Sequence, residues 1–501
     1  MKKVIVVIDL GGNSRVSVLD TDGNMLALWQ RVNEYFPDPE YTAGGVYFDV
    51  KQWQEDILNA TAQVLREAGD VEVLAVTSSS QREGIVLIGR DGQPVAGYPN
   101  ADMRGIEYIS TFDWAAIGAI TTLPPLPLYS GQKLYGMAKN HPEVMARVKS
   151  VCSISDWAGY LFTGEVCWEK TQAMHSALYD IRKEEWSEDL CKLFATPMDI
   201  LPPLKDAGSL LGKVTPEIAA RTGIPAGTRF IVGAADTQVA LAAVKAAPGD
   251  IVAVNGTTTP VMTPVNEVLT GSFWMSPNAR GSRYALEINN ATTGANLDSL
   301  CRQYGIFGEE KSKGLSEIEA DFAAGKLPPV TAIFSQNLFS ADNYLTHGGF
   351  LMDNPIKAGL TWKDFAYAVI LNVAFQMKEG TEILKKCMEN DQTGPLLATF
   401  LRNDHVKQQG KTAGRYIGVG GGFSGRVQAQ TLANLIGHEV IVYETSRQAT
   451  MYGCFNIVCE ALGLPEPELK VKAVFEPQEN GALTAYYANW KKYKTAMLAF
   501  N

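Results

Sequence analysis

Short apolar runs, each closed by glycine or a polar residue, alternate along this chain with longer stretches whose apolar residues recur every three or four positions. Val4 to Asp9 predicts a buried strand, Arg15 to Leu19 a second and Met25 to Arg31 a third, with Asp22-Gly23 as the hairpin turn before the third. The spacing from Trp53 to Ala68 predicts a helix ending at Gly69, and Val73 to Ser78 the next strand. A second hairpin turns at Asp91-Gly92 after Ile85 to Ile88. The proline-rich Leu123 to Leu128 reads as loop, Leu134 to Val148 and Ser155 to Leu161 as helices, and Leu201-Pro202-Pro203 as loop again. Pro225-Ala226-Gly227 is the turn before a strand from Arg229 to Val232, which delivers Asp236.

At Ala247-Pro248-Gly249-Asp250 the pattern starts over. Ile251 to Val254 predicts a strand that enters a polar glycine turn, Gly256-Thr257-Thr258-Thr259, and leaves through Val261. This repeats the opening of the chain, so we expect an internal duplication and divide the chain into residues 1–247 and 248–501. A length of 501 residues, too great for one core, asks for such a division. In the second half Trp362 to Leu384 predicts a long helix, Tyr416 to Val419 a strand, Val427 to Ile436 a helix, Glu439 to Tyr443 a strand, and Thr450 to Leu462 a helix. Strands alternating with helices define an α/β class with a mostly parallel or mixed sheet.

Composition narrows the function. Hydrophobic residues make up 46% and charged residues 20%, the usage of a globular protein. A net charge of −10 argues against nucleic acid as a partner, because a phosphate backbone needs a basic face. No apolar stretch is long enough for a membrane span, and the apolar run at the N-terminus meets Asp9 too soon for a signal segment. A cytoplasmic protein is expected. The seven cysteines are scattered without zinc spacing and read as buried thiols; the oligomeric state stays open, a homodimer included.

Three glycine-rich turns each close an apolar strand: Asp9-Leu10-Gly11-Gly12-Asn13-Ser14, Asn255-Gly256-Thr257-Thr258, and Gly420-Gly421-Gly422-Phe423-Ser424-Gly425. Glycine lets backbone N–H groups approach a phosphate, and small hydroxyls add donors. Asp9 and Asp236 each end an apolar run, which would place them at the carboxyl ends of central strands, where open α/β sheets bind ligands. Phosphoryl transfer to an alcohol needs such a pair, one to help hold Mg²⁺ and one to take the hydroxyl proton. Arg15 could neutralise charge on the transferred group. Gln81-Arg82-Glu83-Gly84 and Asp102-Met103-Arg104 bring polar groups of both signs to one region, the lining a polyol requires.

The order of these segments resembles the FGGY carbohydrate kinases along nearly the whole chain: Asp9-Leu10-Gly11, Gln81-Arg82-Glu83, Asp102 to Arg104, Ile154-Ser155-Asp156-Trp157 through Phe162 to Glu165, Gly233 to Gln238, Gly256-Thr257-Thr258, and Gly420 to Gly422 through Gly437. The resemblance implies two actin-like, ribonuclease-H-like domains around an interdomain cleft. It implies ATP as phosphoryl donor with Mg²⁺, Asp236 as catalytic base, and Asp9 with Gly11, Gly12, Asn13, Ser14 and Arg15 around the metal and γ-phosphate. Gly256, Thr257 and Thr258 would hold phosphates, and Gly420, Gly421 and Gly422 would support the nucleotide. Gln81, Arg82, Glu83, Asp102, Asp236 and Gln238 would meet a small neutral sugar, polyol or hydroxyketone. Gln81-Arg82-Glu83 looks like glycerol kinases, and Arg82 to Leu87 with Ser155-Asp156-Trp157 looks more like autoinducer-2 kinases. Gly12 stands where the family commonly has threonine.

Two other readings compete. Gly420 to Gly425 matches G-x-G-x-x-G after a strand, with Glu444 about twenty residues on, as in nicotinamide-dependent dehydrogenases. A non-catalytic sugar or nucleotide sensor could share the fold, though it would not need both Asp9 and Asp236.

Overall fold

The computed structural model describes residues 1–41, 44–256, 258–269, 273–289, 294–334, 345, 347–352, 354, 356, 359–389 and 414–499. In the first half β1 (Lys2–Leu10), β2 (Asn13–Asp20) and β3 (Met25–Val32) form an antiparallel meander. Helix α1 (Val50–Ala68) starts on Asp49, whose carboxylate accepts the Gln52 N–H, and stops at Gly69 with φ +79°. It leads into β4 (Val71–Ser80), parallel to β1. Next come β5 (Ile85–Gly89), β6 (Pro94–Tyr98), α2 (Ser130–Asn140) and β7 (Val148–Ser153), and the three strands make a separate small sheet. Helices α3 (Ile154–Thr163) and α4 (Lys170–Met174) precede β8 (Leu210–Lys213), β9 (Arg229–Ile231) and α5 (Asp236–Ala243). The main sheet has the order β8-β9-β4-β1-β2-β3.

The second half repeats this plan. It contains β10 (Ile251–Val254), β11 (Pro260–Val265), β12 (Trp274–Pro277), β13 (Tyr284–Asn289), α6 (Trp362–Glu389), β14 (Tyr416–Val419), α7 (Arg426–Ile436), β15 (Val440–Tyr443), α8 (Ala449–Leu462) and β16 (Val471–Phe475). Their order is β12-β13-β11-β10-β14-β15-β16. In both sheets the first three strands of the shared plan run antiparallel, the fourth and fifth join parallel to the first, and a sixth closes that edge antiparallel. β12 is an addition at the other edge. A dinucleotide-binding sheet would be mostly parallel, and its glycine turn would follow the first strand. Here Gly420 follows the fourth strand of a mixed sheet, which removes the dehydrogenase reading.

The unbroken apolar run of β1 reflects burial on both faces. Val4, Val6 and Ile8 pack with Ile57 of α1 and Trp157 of α3, while Ile5 and Val7 pack with Val239 of α5 and Met451 and Phe455 of α8. Helix α8, from the second half, thus covers one face of the first sheet.

One predicted helix is corrected. Residues 134–148 do not form a single helix: α2 ends at Asn140, Pro142 starts a separate turn through Met145, and Val148 opens β7. Proline lacks the N–H to continue the helix and disfavours helical geometry in the residue before it, so His141 has left it at φ −135° and ψ 58°.

Candidate active site

Asp9 lies near the end of β1, directly opposite Arg15 across the first hairpin. Arg15 forms an ion pair with Asp9 Oδ2 and donates at 2.8 Å to Gln448 Oε1. Asp9 Oδ1 is buried with no hydrogen-bond partner. Burial raises the Asp9 pKa, and Arg15 opposes that rise.

Asp236 comes from elsewhere. β9 ends at Ile231, and Gly233-Ala234-Ala235 carry the chain to Asp236, the first residue of α5 rather than the last of a strand. A Cβ on Gly233 would overlap the Ser78 carbonyl, so only glycine lets this connection lie against β4. Ser79 Oγ donates to Ala234 O at 2.7 Å, and the Ala235 N–H donates to Thr171 Oγ1 at 2.9 Å. Thr171 in turn donates to Glu169 Oε2 at 2.5 Å. Gly11 marks where the two carboxylates meet: a Cβ built there would lie 3.6 Å from Asp9 Oδ1 and 3.8 Å from Asp236 Oδ2, ordinary contact distances to both. The two carboxylates therefore face one narrow gap. Burial, with Asp9 adding to it and Arg82 opposing it, pushes the Asp236 carboxyl up to about 6, although its rim stays partly accessible.

Gln81-Arg82-Glu83 follow β4. Arg82 donates two parallel bonds to Glu287 of β13, 2.7 Å to Oε2 and 3.0 Å to Oε1, with its guanidinium 5.0 Å from the centre of the Trp274 ring. Glu83 sits at φ +60°, unusual for a residue with a side chain. Its carbonyl accepts from Ser130 Oγ at 3.2 Å and from Lys133 Nζ at 2.9 Å, which hold this conformation. Lys133 is fully buried, and burial pushes its pKa down to about 8. His175 Nδ1 is 3.0 Å from Glu83 Oε1 and its ring meets Trp274 edge-on. Burial and Arg82 push His175 down, so its ring is neutral at pH 7; Arg82, Lys133 and the His175 contact keep Glu83 below its ordinary range despite burial.

Gln81 Nε2 donates to Tyr35 at 3.0 Å, and its Oε1 accepts the Asn100 N–H at 3.2 Å. Gln238 Nε2 donates to Ser276 Oγ at 2.8 Å, which leaves its buried Oε1 without a partner. Asp102 is fully buried, and its carboxylate accepts from Arg104 Nε at 2.7 Å and the Val46 N–H at 2.8 Å.

The glycine turns differ in their surroundings. Gly12 and Asn13 are exposed at the first hairpin, whereas Ser14 is buried, donating to Asn33 Oδ1 at 2.6 Å. Gly256 is exposed, and its N–H donates to Thr258 O at 3.0 Å; Thr257 lies outside the described residues. Gly420, at φ +99°, and Gly422 wrap Asn255 so closely that a Cβ on either would overlap it, while a Cβ on Gly421 would meet open space. Asn255 Nδ2 donates at 2.6 Å to Gln428 Oε1, which ties the second and third glycine turns together. Among the described residues, no cluster of three or more His, Cys, Asp or Glu side chains is arranged around a metal, and no helix is long and apolar enough to cross a membrane.

The sequence reading missed Glu287, Trp274, Lys133 and Thr171. Glu287 did leave a signal: it is the lone charge in the strand Tyr284–Asn289, flanked by Leu286 and Ile288, and a buried carboxylate must be paired.

Comparisons with known proteins identify the family. A family model described as the FGGY family of carbohydrate kinases, N-terminal domain, matches residues 4–243. YoaC of Bacillus subtilis (strain 168), provisionally assigned as a sugar kinase, is 31% identical over 98% of this chain and 96% of its own. Autoinducer-2 kinase of Escherichia coli (strain K12) is 30% identical over 48% of this chain and 46% of its own, so that similarity spans about half of each. Among solved structures, Plasmodium falciparum glycerol kinase with ADP superposes with a TM-score of 0.79 at 17% identity, covering 99% of this chain and 98% of the other. With both halves built on one actin-like plan and a full-length sugar-kinase relative, the chain belongs to the FGGY family of carbohydrate kinases, ATP-dependent phosphotransferases that act on an alcohol group.

Proposed function

We propose that this kinase phosphorylates a hydroxyl of a small neutral polyol, sugar or hydroxyketone, with residues 1–247 binding the sugar and residues 248–501 the nucleotide. The observation that carries the reading is the gap at Gly11, onto which the unpartnered Asp9 Oδ1 and Asp236 Oδ2 converge. Asp236 is the general base. A carboxyl pushed up to about 6 is ionised at neutral pH yet basic enough to draw a proton from an alcohol as the O–P bond forms. Asp9, steadied by Arg15, fits a magnesium ion held mainly by phosphate and water oxygens, with Asp236 beside it. When bound, the ion would offset charge on the transferred phosphoryl group.

Glu83, Gln238 and the Arg82 region supply acceptors and donors for the sugar, and the free Gln238 Oε1 is placed to accept a hydroxyl. The exposed turns at Gly12-Asn13 and at Gly256 would lie against phosphate, and the open side of Gly421 would receive the nucleotide. Similarity to autoinducer-2 kinase supports a hydroxyketone among the candidates. The test is ADP release with glycerol, erythritol, ketopentoses and 4,5-dihydroxy-2,3-pentanedione, beside aldonates and sugar phosphates. Turnover confined to the neutral group supports the reading, and a preference for an acidic or phosphorylated substrate overturns it.

A further inference from the structure

The pairing of Arg82 with Glu287 joins the two halves at the sugar segment. Arg82 extends from the end of β4 in the first sheet, and Glu287 from β13 in the second. Both side chains are almost fully buried, at 8% and 3% exposure. The fork is bidentate, Asn289 Nδ2 donates a further bond to Glu287 Oε1 at 3.1 Å, and Trp274 covers the guanidinium. An arginine fork is shaped for a carboxylate, so without Glu287 the same group would be the natural receptor for an acidic sugar. We propose that Glu287 is a specificity-determining residue: by occupying the Arg82 fork from the opposite half, it turns what would be a carboxylate receptor into a site that selects neutral substrates. This rests on the kinase reading above and deepens it.

The other charges near the fork agree. Glu83 and Asp236 both act electrostatically on Arg82, His175 beside it is neutral, and Lys133 is directed at main-chain carbonyls behind Glu83. With Arg82 matched by Glu287 and Arg15 by Asp9, an anionic ligand would meet Glu83 and Asp236 without either arginine free to offset them. The exclusion is therefore assigned to one residue and can be relieved at one residue.

The experiment compares the wild-type protein, Glu287→Gln and the double variant Arg82→Gln/Glu287→Gln. Calorimetry measures binding of ribonate and gluconate against ribitol and sorbitol, and coupled ADP release measures turnover of the same compounds. Glu287→Gln keeps the side-chain shape but withdraws the charge, so aldonate affinity relative to alditol should rise by about tenfold or more, and the double variant should lose that gain. If the single variant does not fold, Glu287→Ala serves with the same expectation. An unchanged ratio overturns the inference, as does a gain that survives loss of Arg82 or a wild-type preference for aldonates. A gain in aldonate binding by a protein that turns over none of the neutral compounds would support the role of Glu287 and leave the neutral-substrate reading to fall alone.

Discussion

Asp236→Asn should make the protein more stable at neutral pH while it abolishes turnover. Folding gives Asp236 a pKa of about 6 against an ordinary 3.8, so the folded state holds that proton more tightly than the unfolded chain does. The sign follows: below about pH 4 both states are protonated and the group costs nothing, and stability is lost as pH rises from there through about 6. The full gap is worth about 3 kcal/mol for a completely buried group; with the rim of Asp236 partly accessible, screening reduces this to about 1–2 kcal/mol. Asparagine keeps the shape and can still accept the Thr237 hydroxyl, now 3.2 Å from Asp236 Oδ1, but carries no charge. Chemical denaturation should therefore show the variant more stable by about 1–2 kcal/mol at pH 7.5, with the difference gone at pH 4. Phosphoryl transfer should fall at least about 10²-fold, with ATP binding retained. A variant less stable at pH 7.5, an advantage that does not vary with pH, or a rate above about a tenth of wild type would refute the assignment of a desolvated base to this position.

Thr171→Val leaves the Ala235 N–H and Glu169 without their shared hydroxyl; it should cost about 1–3 kcal/mol of stability and lower kcat more than it raises the KM for ATP, as steady-state kinetics would show. Gly421→Val fills space that is open in the third glycine turn, so the KM for ATP should rise more than the KM for sugar, and equal changes in both would remove Gly421 from nucleotide binding. Gly453→Ala places a methyl group against the Val239 carbonyl, forcing α8 away from α5; denaturation should register a loss of about 1–3 kcal/mol, and kcat should fall because α5 carries Asp236.

What could be read in the sequence depended on how local the cause was. β1 to β3, the strand at Tyr416–Val419 and the helix ends at Ala68, Ile436 and Leu462 were legible because alternation and glycine stops act within a few residues. The helix misread over 134–148 failed because apolar residues at helical spacing persisted past Pro142 into a strand buried on the small sheet. Asp9, Asp236, Arg82 and Glu83 could be singled out, since each is a charge beside an apolar run. Their partners could not: Glu287 is 205 positions from Arg82, and Thr171 is 64 from Ala235. The bond that the Asp102 carboxylate accepts from the Val46 N–H, 56 positions away, was hidden for the same reason.

The repeated plan shows how the chemistry came to be divided between halves. In each sheet the first strand of the plan runs into a hairpin, at Asp9 in one and Asn255 in the other, so equivalent places carry a carboxylate and a neutral amide. After the fourth strand come Gln81-Arg82-Glu83 in the first half and Gly420-Gly421-Gly422 in the second, again charged against uncharged. After the fifth strand come α5 and α8, which touch at Gly453 and Val239. On the proposed reading, the first half thus carries its charges where a proton and a metal would be handled. The second offers backbone and amide groups around Asn255, which can approach phosphate without repelling it. Glu287 is the exception, a charge contributed by the second half and directed across to Arg82. A buried carboxylate that serves neither metal nor proton and meets the sugar segment from the opposite side is placed to govern what that segment accepts, which is why its removal should change substrate charge preference before it changes nucleotide binding.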